Sequence, residues 1–532
     1  MATPLNTALL MLPKRAESTA RENLISTFVD VGHLFTLLNT KDHQVLFGRR
    51  GTGKTHAFSF LAEQRAKKGD ATVYLDLRSV GSNGGIYADS TIPLAERSTR
   101  LLVDTLAAIH DGLTNFCVEM AEVVSLAETG PILDSLADAI TQVRVVGVVE
   151  ETGSEQEASE VKLSSTAGLA VGTKSLDISG AASSSEASNQ SHSRSVKRTG
   201  SEQLNVNFGA TGSIFRALVA KLKDRQVWIL LDEWGSVPIV LQPFLADLLR
   251  RALLPVTGLT VKIAAIDHRS NFQIKGNSGD YVGIELGADV SADVNLDDFM
   301  VFDNDSSRAM DFFRDLIGRH VLAAVRGTDY EHRIPSAPDK VVADIFTEKR
   351  ALEEFVRACE GVPRDAINIL ALAAQRADNE AISVLHIRVA ARNWYQRDKE
   401  RSVSANQSAH RLLNLIIGDV IGNRRARAFL LKSDARSNLI DALYDARVLH
   451  ILKRGISTHD KPGERYDVYK LDYGCYVDLM ATSRAPQGLL PLDDQNDGYV
   501  DVPPDDYRAI RRAILNLDLI ESNEGPKELG VA

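Results

Sequence analysis

The sequence predicts an α/β protein built on a mainly parallel sheet. A short apolar segment at residues 44–47 is followed by a glycine-rich turn, a helical segment at residues 55–67 and a second apolar segment at residues 72–78. Strand, turn, helix and strand in this order are typical of the βαβ unit of a parallel sheet. Residues 227–234, which open with the unbroken apolar run 227–231, and residues 260–267, which are mostly apolar, indicate additional buried strands.

Composition and charge exclude several classes of protein. Hydrophobic residues make up 44% of the 532-residue chain and charged residues 25%, as in ordinary globular proteins. A wholly disordered chain, a collagen-like fibre and a membrane bundle are therefore excluded. The net charge of −10 makes the chain as a whole an unfavourable partner for a phosphate backbone, so any contact with nucleic acid must be local.

Cysteine usage and the N-terminus favour a cytoplasmic protein. The three cysteines are far apart and form no CxxC pair, so neither a disulfide framework nor a zinc ribbon is supported. The apolar run at residues 8–12 precedes its positive charges and is a poor secretory signal. No apolar run approaches the roughly 20 residues that span a bilayer, and we expect no membrane partner.

A glycine-rich segment, GRRGTGKT, matches the phosphate-binding pattern GxxxxGK[ST] completely and lies between a predicted strand and a predicted helix. Glycines let the backbone curl so that its N–H groups point at phosphate oxygens, and the helix adds its positive N-terminal end. The lysine can neutralise β- and γ-phosphate charge, and the hydroxyl that follows can ligate Mg²⁺. The predicted phosphate-binding residues are Gly48, Arg49, Arg50, Gly51, Thr52, Gly53, Lys54 and Thr55.

A second half of this site is expected where the apolar segment 227–231 ends. Asp232 follows that unbroken run, so its carboxylate is expected at the edge of the sheet, where it can hold Mg²⁺ together with Thr55. Glu233, one residue on, can orient or deprotonate the attacking water. An acidic turn that closes a strand is the alternative interpretation, and for Trp234 we expect a packing role.

With these motifs the chain resembles the AAA+ branch of the P-loop ATPases, and in particular the origin-recognition and replication-initiator type or its bacterial relatives. GRRGTGKT and ILLDEW correspond to the Walker A and Walker B motifs, and GVPR at residues 361–364 is similar to the sensor 2 motif of a helical lid. The resemblance implies ATP hydrolysis with Mg²⁺, in which Lys54, Glu233 and Arg364 are catalytic and Thr55 and Asp232 hold the metal. A helix start with a surface arginine is the alternative for residue 364.

Three other features of the family have only candidate positions. The strand KIAAID lies where such proteins keep sensor 1, although the family usually has Asn or Thr at the position concerned. The segment FVDVG at residues 28–32 lies where related proteins contact adenine, with plain core packing as the alternative. The candidates are Asp267 or His268 for sensor 1 and Arg269, Arg250 and Arg251 for an arginine finger, with ordinary surface arginines as the alternative.

The chain is expected to contain five parts. The 178 positions from Lys54 to Asp232 exceed the usual spacing of the family, and 14 of the 51 residues between 151 and 201 are serine. Such a stretch buries too little apolar surface to offset its ordering entropy, which favours a flexible insertion over a weak hairpin. The parts are an N-terminal helical lead-in and adenine-side segment at residues 1–40, a P-loop ATPase core at 41–304 with a Ser-rich flexible insertion at 145–205, a helical lid at 305–400, a winged-helix-like domain at 401–490 and an acidic tail at 491–532.

The C-terminal module, residues 401–490, is expected to contain three helices and then a hairpin, an order that resembles a winged helix. The predicted helices are residues 408–421, 424–432 and 437–452. The module has 14 Lys and Arg against 9 Asp and Glu, whereas residues 491–532 have 4 against 10. A positive module can be a phosphate-binding face, although winged helices also serve protein contacts, and Asp441 and Asp445 would repel phosphates. The candidate DNA contacts are Arg424, Arg425, Arg427, Lys453, Arg454, Lys461 and Arg465.

We therefore expect a slow AAA+ ATPase that uses Mg²⁺ and ATP, binds duplex DNA through residues 401–490, and assembles with itself or with a protein partner. The alternative is a signal-transducing NTPase of a bacterial conflict or phage-defence system. In that case the winged helix and the insertion would make protein contacts. A processive helicase or protein unfoldase is a weaker interpretation, because no further helicase motif and no aromatic pore loop stand out.

Overall fold

A computed structural model describes the chain at residues 3–15, 19, 21–81, 84–141, 143–152, 173–180, 195–204, 206–276, 279–300, 305–424, 426, 428–435, 437–457, 463–480 and 514–515. Its helices are α1 (Pro4–Leu10), α2 (Arg21–Thr27), α3 (Leu34–Leu38), α4 (Lys54–Ala66), α5 (Gly84–Ala88), α6 (Leu94–Glu119), α7 (Leu126–Ile140), α8 (Phe208–Lys221), α9 (Gln242–Leu248), α10 (Asp297–Met300), α11 (Ser306–Val325), α12 (Pro338–Ile345), α13 (Lys349–Cys359), α14 (Pro363–Ala377), α15 (Val384–Trp394), α16 (Arg401–Ser404), α17 (Gln407–Ile416), α18 (Asn438–Asp445) and α19 (Tyr473–Met480).

The strands are β1 (Gln44–Phe47), β2 (Ala71–Asp76), β3 (Val143–Thr152), β4 (Thr173–Gly180), β5 (Ser195–Leu204), β6 (Val227–Asp232), β7 (Leu259–Ala265), β8 (Gln273–Lys275), β9 (Tyr281–Gly283), β10 (Ser291–Asn295), β11 (Ala428–Lys432), β12 (Leu449–Ser457) and β13 (Arg465–Leu471). The chain divides into two compact units. The first unit contains residues 1–38, 47–60 and 295–532, and the second contains residues 39–46 and 61–294.

The second unit is organised around a five-stranded sheet of order β10-β1-β7-β6-β2. Strand β6 pairs in parallel with β2 on one side and with β7 on the other. Every residue of β6 and β7 is buried, as expected for central strands covered on both faces. The prediction of an α/β fold with a mainly parallel sheet is confirmed.

Two long helices occupy much of the chain between β2 and β6. Helix α6 buries Leu101, Leu102, Thr105 and Leu106, which recur at helical spacing, and it packs on β2. Helix α7 packs on both α6 and α8. The segment that separates the two Walker motifs is therefore in part an ordinary layer of the α/β fold.

Within the predicted flexible insertion, the described residues form a three-stranded antiparallel sheet of order β3-β5-β4. The ten residues of β3 pair continuously with β5, from Val143 opposite Leu204 to Thr152 opposite Ser195. Of the two apolar patches of the alternative hairpin, residues 176–178 lie in β4 and pair with β5, and residues 161–163 lie outside the described residues. The flexibility of residues 145–205 stays a prediction, and much of that stretch lies outside the described residues.

The first unit contains the predicted lid as a run of helices, α11 to α15, and it also contains the C-terminal module. In that module β11, β13 and β12 form a three-stranded sheet in this order, with α17 and α18 packed in the same core. The backbone N–H of Leu515 donates to the carbonyl oxygen of Leu430, which places one short piece of the acidic tail beside β11. The rest of the tail, apart from residues 514 and 515, lies outside the described residues.

Two of the predicted helices in the C-terminal module are wrong in part. Residues 428–432 are a strand, and the third predicted helix ends at Asp445, since strand β12 begins at Leu449. Ala428 to Leu431 are all buried, and a fully buried strand gives the same short apolar run as a buried helical turn. None of the helices in the described part of the chain is long and apolar enough to cross a membrane.

Candidate functional site

The phosphate-binding segment forms a tightly curled loop between β1 and α4. Gly51 and Gly53 have φ angles of 85° and 100°, a region that favours glycine. A Cβ atom at Gly48 would lie 2.6 Å from the hydroxyl oxygen of Thr52, so glycine is required there by space. No atom lies within 4 Å of the position that a Cβ atom on Gly53 would take. This leaves the space that phosphate oxygens need beside the loop.

Lys54 lies inside the curl that these glycines allow. Its Nζ donates to the carbonyl oxygens of Gly48, at 2.7 Å, and Arg49, at 2.9 Å, and its side chain is buried. Lys54 and Thr55 are the first two residues of α4, so both stand at the positive end of a 13-residue helix. The donors therefore fit the phosphates of a nucleotide, and the Thr55 hydroxyl stands where a phosphate-bound Mg²⁺ is expected.

Arg49 has a different role from the other residues of the loop. Its backbone N–H donates to Asp297 Oδ2 at 3.1 Å and its Nε to Asp297 Oδ1 at 2.8 Å. Its two remaining nitrogens contact the carbonyl oxygen of Glu360, at 3.1 Å, and Nδ1 of His450. Burial lowers the pKa of the Arg49 guanidinium, but Asp297 outweighs it and the pKa is raised. The side chain of Arg49 thus faces protein, whereas Arg50 is exposed.

Arg364 reaches the same loop from the start of α14. Its backbone N–H donates to the carbonyl oxygen of Gly51 at 3.2 Å. A Cβ atom on Gly51 would lie 2.8 Å from Cβ of Arg364, so the two backbones approach as closely as a glycine permits. Burial, followed by the charge of Arg447, lowers the pKa of Arg364. The structure thus brings the predicted sensor 2 residue to the phosphate-binding loop.

The predicted metal-holding carboxylate ends strand β6 in the second unit. Asp232 is 1% exposed, and its Oδ2 accepts a 2.6 Å hydrogen bond from the hydroxyl of Tyr74 on β2. Burial and the adjacent carboxylate raise the pKa of Tyr74. The backbone N–H of Glu233 donates to Asp232 Oδ1 at 2.8 Å. Tyr74 therefore fixes the carboxylate from one side and the turn fixes it from the other.

Glu233 has a φ angle of 57°, in the left-handed region. A non-glycine residue there costs about 1–2 kcal/mol, and such strain concentrates at functional positions. The next residue, Trp234, is fully buried, stacks on Phe272 with 4.9 Å between ring centroids and donates to Gln242 at 3.1 Å. This geometry agrees with the packing role expected for Trp234.

The other candidate positions have partners within their own units. Arg250 donates to Asp247 at 2.8 Å and lies over the ring of Tyr281, and Arg251 contacts Asp247 at 3.3 Å. Asp267, His268 and Arg269 form one short 3₁₀ turn after β7. Phe28 stacks on Phe60 with 4.1 Å between ring centroids, which is the packing alternative for that segment. Sensor 1 and the arginine finger stay predictions.

The basic residues of the C-terminal module differ in their contacts and in their exposure. Arg424 pairs with Asp419 at 2.7 Å and donates to the carbonyl oxygen of Ile514 at 2.9 Å. Lys453 and Arg454 on β12 and Arg465 on β13 are exposed. Arg425, Arg427 and Lys461 lie outside the described residues.

Three residues of these sites could not be recognised in the sequence. Asp297 and His450 hold Arg49 from positions 248 and 401 residues away, and Tyr74 meets Asp232 across 158 residues. None belongs to a motif, because each contact is made by the fold and not by local spacing. For Tyr74 alone there was an indirect signal, since it lies on the predicted strand that follows the P-loop helix.

The chain is similar to a known protein family and to two solved structures. The family model described as ORC-CDC6-like matches residues 11–289, just over half of the chain. Among solved structures, the Aeropyrum pernix Orc1 protein in complex with DNA is 12% identical, with 88% of this chain and 95% of that chain covered and a TM-score of 0.30. Cdc6p from Pyrobaculum aerophilum is 13% identical, with coverages of 90% and 97% and a TM-score of 0.28.

No curated protein matches the chain. The family model spans both Walker motifs and the candidate sensor 1 strand. The chain therefore belongs to the ORC-CDC6-like family.

Proposed function

We propose that this protein is a slow AAA+ ATPase that binds ATP with Mg²⁺ and acts as a nucleotide-controlled switch. The observation that carries the proposal is the curled loop with Lys54 at its centre and Arg364 against Gly51. Membership of the ORC-CDC6-like family supports the same class of activity.

Each residue has a distinct part in this proposal. Lys54 neutralises the β- and γ-phosphates, and Thr55 and Asp232 hold Mg²⁺, which polarises the γ-phosphate when it is bound. Glu233 orients or deprotonates the attacking water. Arg364 contacts the γ-phosphate and couples the nucleotide state to the angle of the lid. The remaining P-loop residues bind phosphate through their backbone, except that Arg49 uses its own N–H for Asp297.

Nucleotide binding is tested with Lys54→Ala and a matched control. Lys67→Ala removes an exposed lysine just after the same helix, where it pairs with Glu63 at 3.5 Å. We expect calorimetry to show ATP binding by the wild type and by Lys67→Ala, and at least about a hundredfold loss in Lys54→Ala, since a charge-assisted contact to phosphate is lost. If the wild type binds no ATP at millimolar concentration, the proposal fails.

Hydrolysis and assembly are tested with Glu233→Gln. This variant should bind ATP like the wild type and lose about two or more orders of magnitude in turnover, because the water is no longer activated. Light scattering after size exclusion, with ATP and with ADP, then shows whether the trapped ATP state assembles with itself. Full turnover in Glu233→Gln would remove this residue from the mechanism.

We further propose that residues 401–490 are a winged-helix domain and that duplex DNA binds to this domain. This proposal rests on the positive charge of that module and on the order of its helices and strands. Lys453→Ala with Arg454→Ala should weaken binding and reduce the slope of log K against log salt by about two, since each phosphate contact contributes roughly 0.9. Arg411→Ala, an exposed basic residue on α17, is the control. Absent or salt-independent binding would exclude the proposal.

The second candidate function is a signal-transducing NTPase of a conflict or phage-defence system. The observation that favours it is the additional antiparallel sheet of β3, β4 and β5, inserted between the two Walker motifs. In this case a protein partner would bind that sheet and the C-terminal module. Replacing residues 143–204 by a short Gly/Ser linker would abolish capture of such a partner and leave ATP binding intact, whereas the DNA switch would keep its DNA affinity.

A further inference from the structure

A continuous series of buried polar contacts connects the P-loop to the C-terminal module within the first unit. We call it the buried charge network. Its members are Arg49, Asp297, His450, Asp472, Lys399, Asp365 and Arg447. Each side chain is at most 9% exposed. Isolated charges are expensive at such depth, so each member depends on the next.

The first path of the network passes through His450. Nδ1 of His450 contacts the guanidinium of Arg49, and Nε2 lies 3.1 Å from Oδ2 of Asp472. His450 is the second residue of β12, and Asp472 directly follows β13. The hairpin of the C-terminal module therefore holds the side chain of a P-loop residue directly.

The second path returns to the P-loop through the lid. Nζ of Lys399 pairs with Asp472 and with Asp365 Oδ2, the latter at 2.9 Å, and Arg447 pairs with Asp365 at 3.2 Å. Asp365 is the neighbour of Arg364, whose backbone N–H donates to Gly51. The P-loop is thus held at two points, at Arg49 by members of the network and at Gly51 by the residue that directly precedes Asp365.

The proton on His450 can be placed from its partners. The guanidinium of Arg49 only donates hydrogen bonds, so Nδ1 of His450 must accept. The proton of the neutral ring is therefore on Nε2, where it donates to the Asp472 carboxylate. Burial and the nearby Arg49 lower the pKa of His450 to about 3, which agrees with a neutral ring. The hydrogen bond to Asp472 thus fixes the orientation of the imidazole ring, and the ring in turn fixes the position of the Arg49 guanidinium.

We propose that His450 is a positioning residue for the P-loop, through which the C-terminal module sets the affinity for nucleotide. This inference rests on the proposed ATP binding and adds its regulation. When His450 holds Arg49, the loop is curled before the nucleotide arrives. Without that contact the nucleotide must order the loop itself, and its affinity falls. Because such coupling is reciprocal, nucleotide binding also stabilises the hairpin of the module.

Two isosteric variants separate the contacts of His450. In His450→Asn the amide oxygen takes the place of Nδ1, so the contact with Arg49 is kept and the contact with Asp472 is lost. In His450→Gln the amide nitrogen takes the place of Nε2, so Asp472 keeps its donor and Arg49 loses its acceptor. Lys432→Ala, which breaks an exposed ion pair with Glu464 in the same module, is the control for general damage.

We expect ATP affinity, measured by calorimetry on the full chain, to fall about tenfold in His450→Gln, a size typical of coupling between sites. His450→Asn should retain affinity within about threefold, and Lys432→Ala should equal the wild type. A folded His450→Gln protein that binds ATP like the wild type overturns the inference. Failure of the wild type itself to bind ATP refutes instead the proposed function on which the inference rests.

Hydrogen–deuterium exchange on the wild type keeps the inference testable if the His450 variants do not fold. Added ATP should slow exchange in peptides that cover β12 and β13 more than in peptides that cover β7. Unchanged exchange in β12 and β13 at saturating ATP overturns the inference.

Discussion

Among the residues that the structure describes, two lysines are at most 1% exposed, and their surroundings differ. Lys399, in the first unit, is 1% exposed and pairs with both Asp365 and Asp472. Lys262, on β7 in the second unit, is fully buried; its Nζ donates to the amide oxygen of Gln44 and lies 5.6 Å from the ring centroid of Trp228. The same type of side chain is thus paired with two carboxylates in one unit, whereas in the other it contacts a neutral amide and an aromatic ring, and the charges of Asp42 and Arg65 act on it in opposite directions.

The consequence is visible in the pKa values of the two amines. Burial lowers the pKa of Lys399, but Asp365 and Asp472 outweigh it, so its pKa is raised. For Lys262 burial dominates, and its pKa falls to about 7. Depth alone therefore does not decide whether a lysine stays charged. The partner decides, because Coulomb attraction to a carboxylate is strong at low dielectric and a neutral amide supplies only a hydrogen bond.

The largest expected effect follows from breaking the charged surroundings of Lys399. Lys399→Met leaves two buried carboxylates with fewer cations, and removal of one partner from a buried pair costs about 3–5 kcal/mol. We expect urea unfolding to show a loss of that size. Lys432→Ala, at an exposed ion pair, should cost less than about 1 kcal/mol. Equal losses in the two variants would contradict the distinction between buried and exposed pairs.

The burial of Lys262 without a paired carboxylate at hydrogen-bond distance among its described contacts predicts a dependence of stability on pH. Its pKa is about 7 when folded and near 10.4 when unfolded, so between these values the unfolded chain binds more protons. The free energy of unfolding therefore gains a contribution as pH rises from 7 to 10, of about 3 kcal/mol. Lys399 has the opposite sign: its stabilisation is complete below the unfolded pKa and is lost as pH rises through its raised folded pKa.

Lys262→Met isolates this contribution. The variant should be more stable than the wild type at pH 7, and the difference should close as pH approaches 10. Lys349→Met, at a lysine that is 83% exposed, is the control and should show a constant difference. A difference between wild type and Lys262→Met that does not change with pH would show that Lys262 keeps its proton when folded.

The sequence predicted the strands of the sheet more successfully than the burial and the contacts of these lysines. The bounds predicted for β1 agree with the structure, and those of β2, β6 and β7 differ by at most two residues at either end, because mostly apolar runs of strand length have few other solutions. The P-loop was equally accessible, since its function depends on consecutive residues. The strand at residues 428–432 was not predicted, because a buried strand and a buried helical turn have the same apolar composition.

The contacts of Arg49 and Lys399 could not be predicted for a different reason. Asp297, Asp365 and Asp472 are single carboxylates, and their separation in the chain is set by the fold. From the sequence alone, each of these aspartates would be assigned to the solvated surface, where aspartate is ordinarily found. Only the three-dimensional arrangement shows that these carboxylates neutralise buried cations.

The smallest expected effect concerns Asp232, another buried charge of the second unit, which accepts a hydrogen bond from the neutral hydroxyl of Tyr74. Tyr74→Phe removes one hydrogen bond to an ionised group, worth about 1.5–3 kcal/mol, and part of that loss should be recovered by water because Tyr74 is 37% exposed. We expect unfolding to show a loss near about 1 kcal/mol, well below that of Lys399→Met.

The effect of Tyr74→Phe on activity should be selective. Tyr74 orients a carboxylate that is proposed to hold Mg²⁺, so turnover should fall about three- to tenfold while ATP affinity stays within about twofold, because a misplaced metal affects the transition state more than the bound substrate. Tyr281→Phe, which removes a Tyr–carboxylate hydrogen bond of 3.3 Å to Asp289 in the same unit, is the control and should leave turnover unchanged. If Tyr74→Phe changes stability but not turnover, the hydrogen bond supports the sheet and does not position Asp232, and the neutral partner would then have the same structural role as Gln44 beside Lys262.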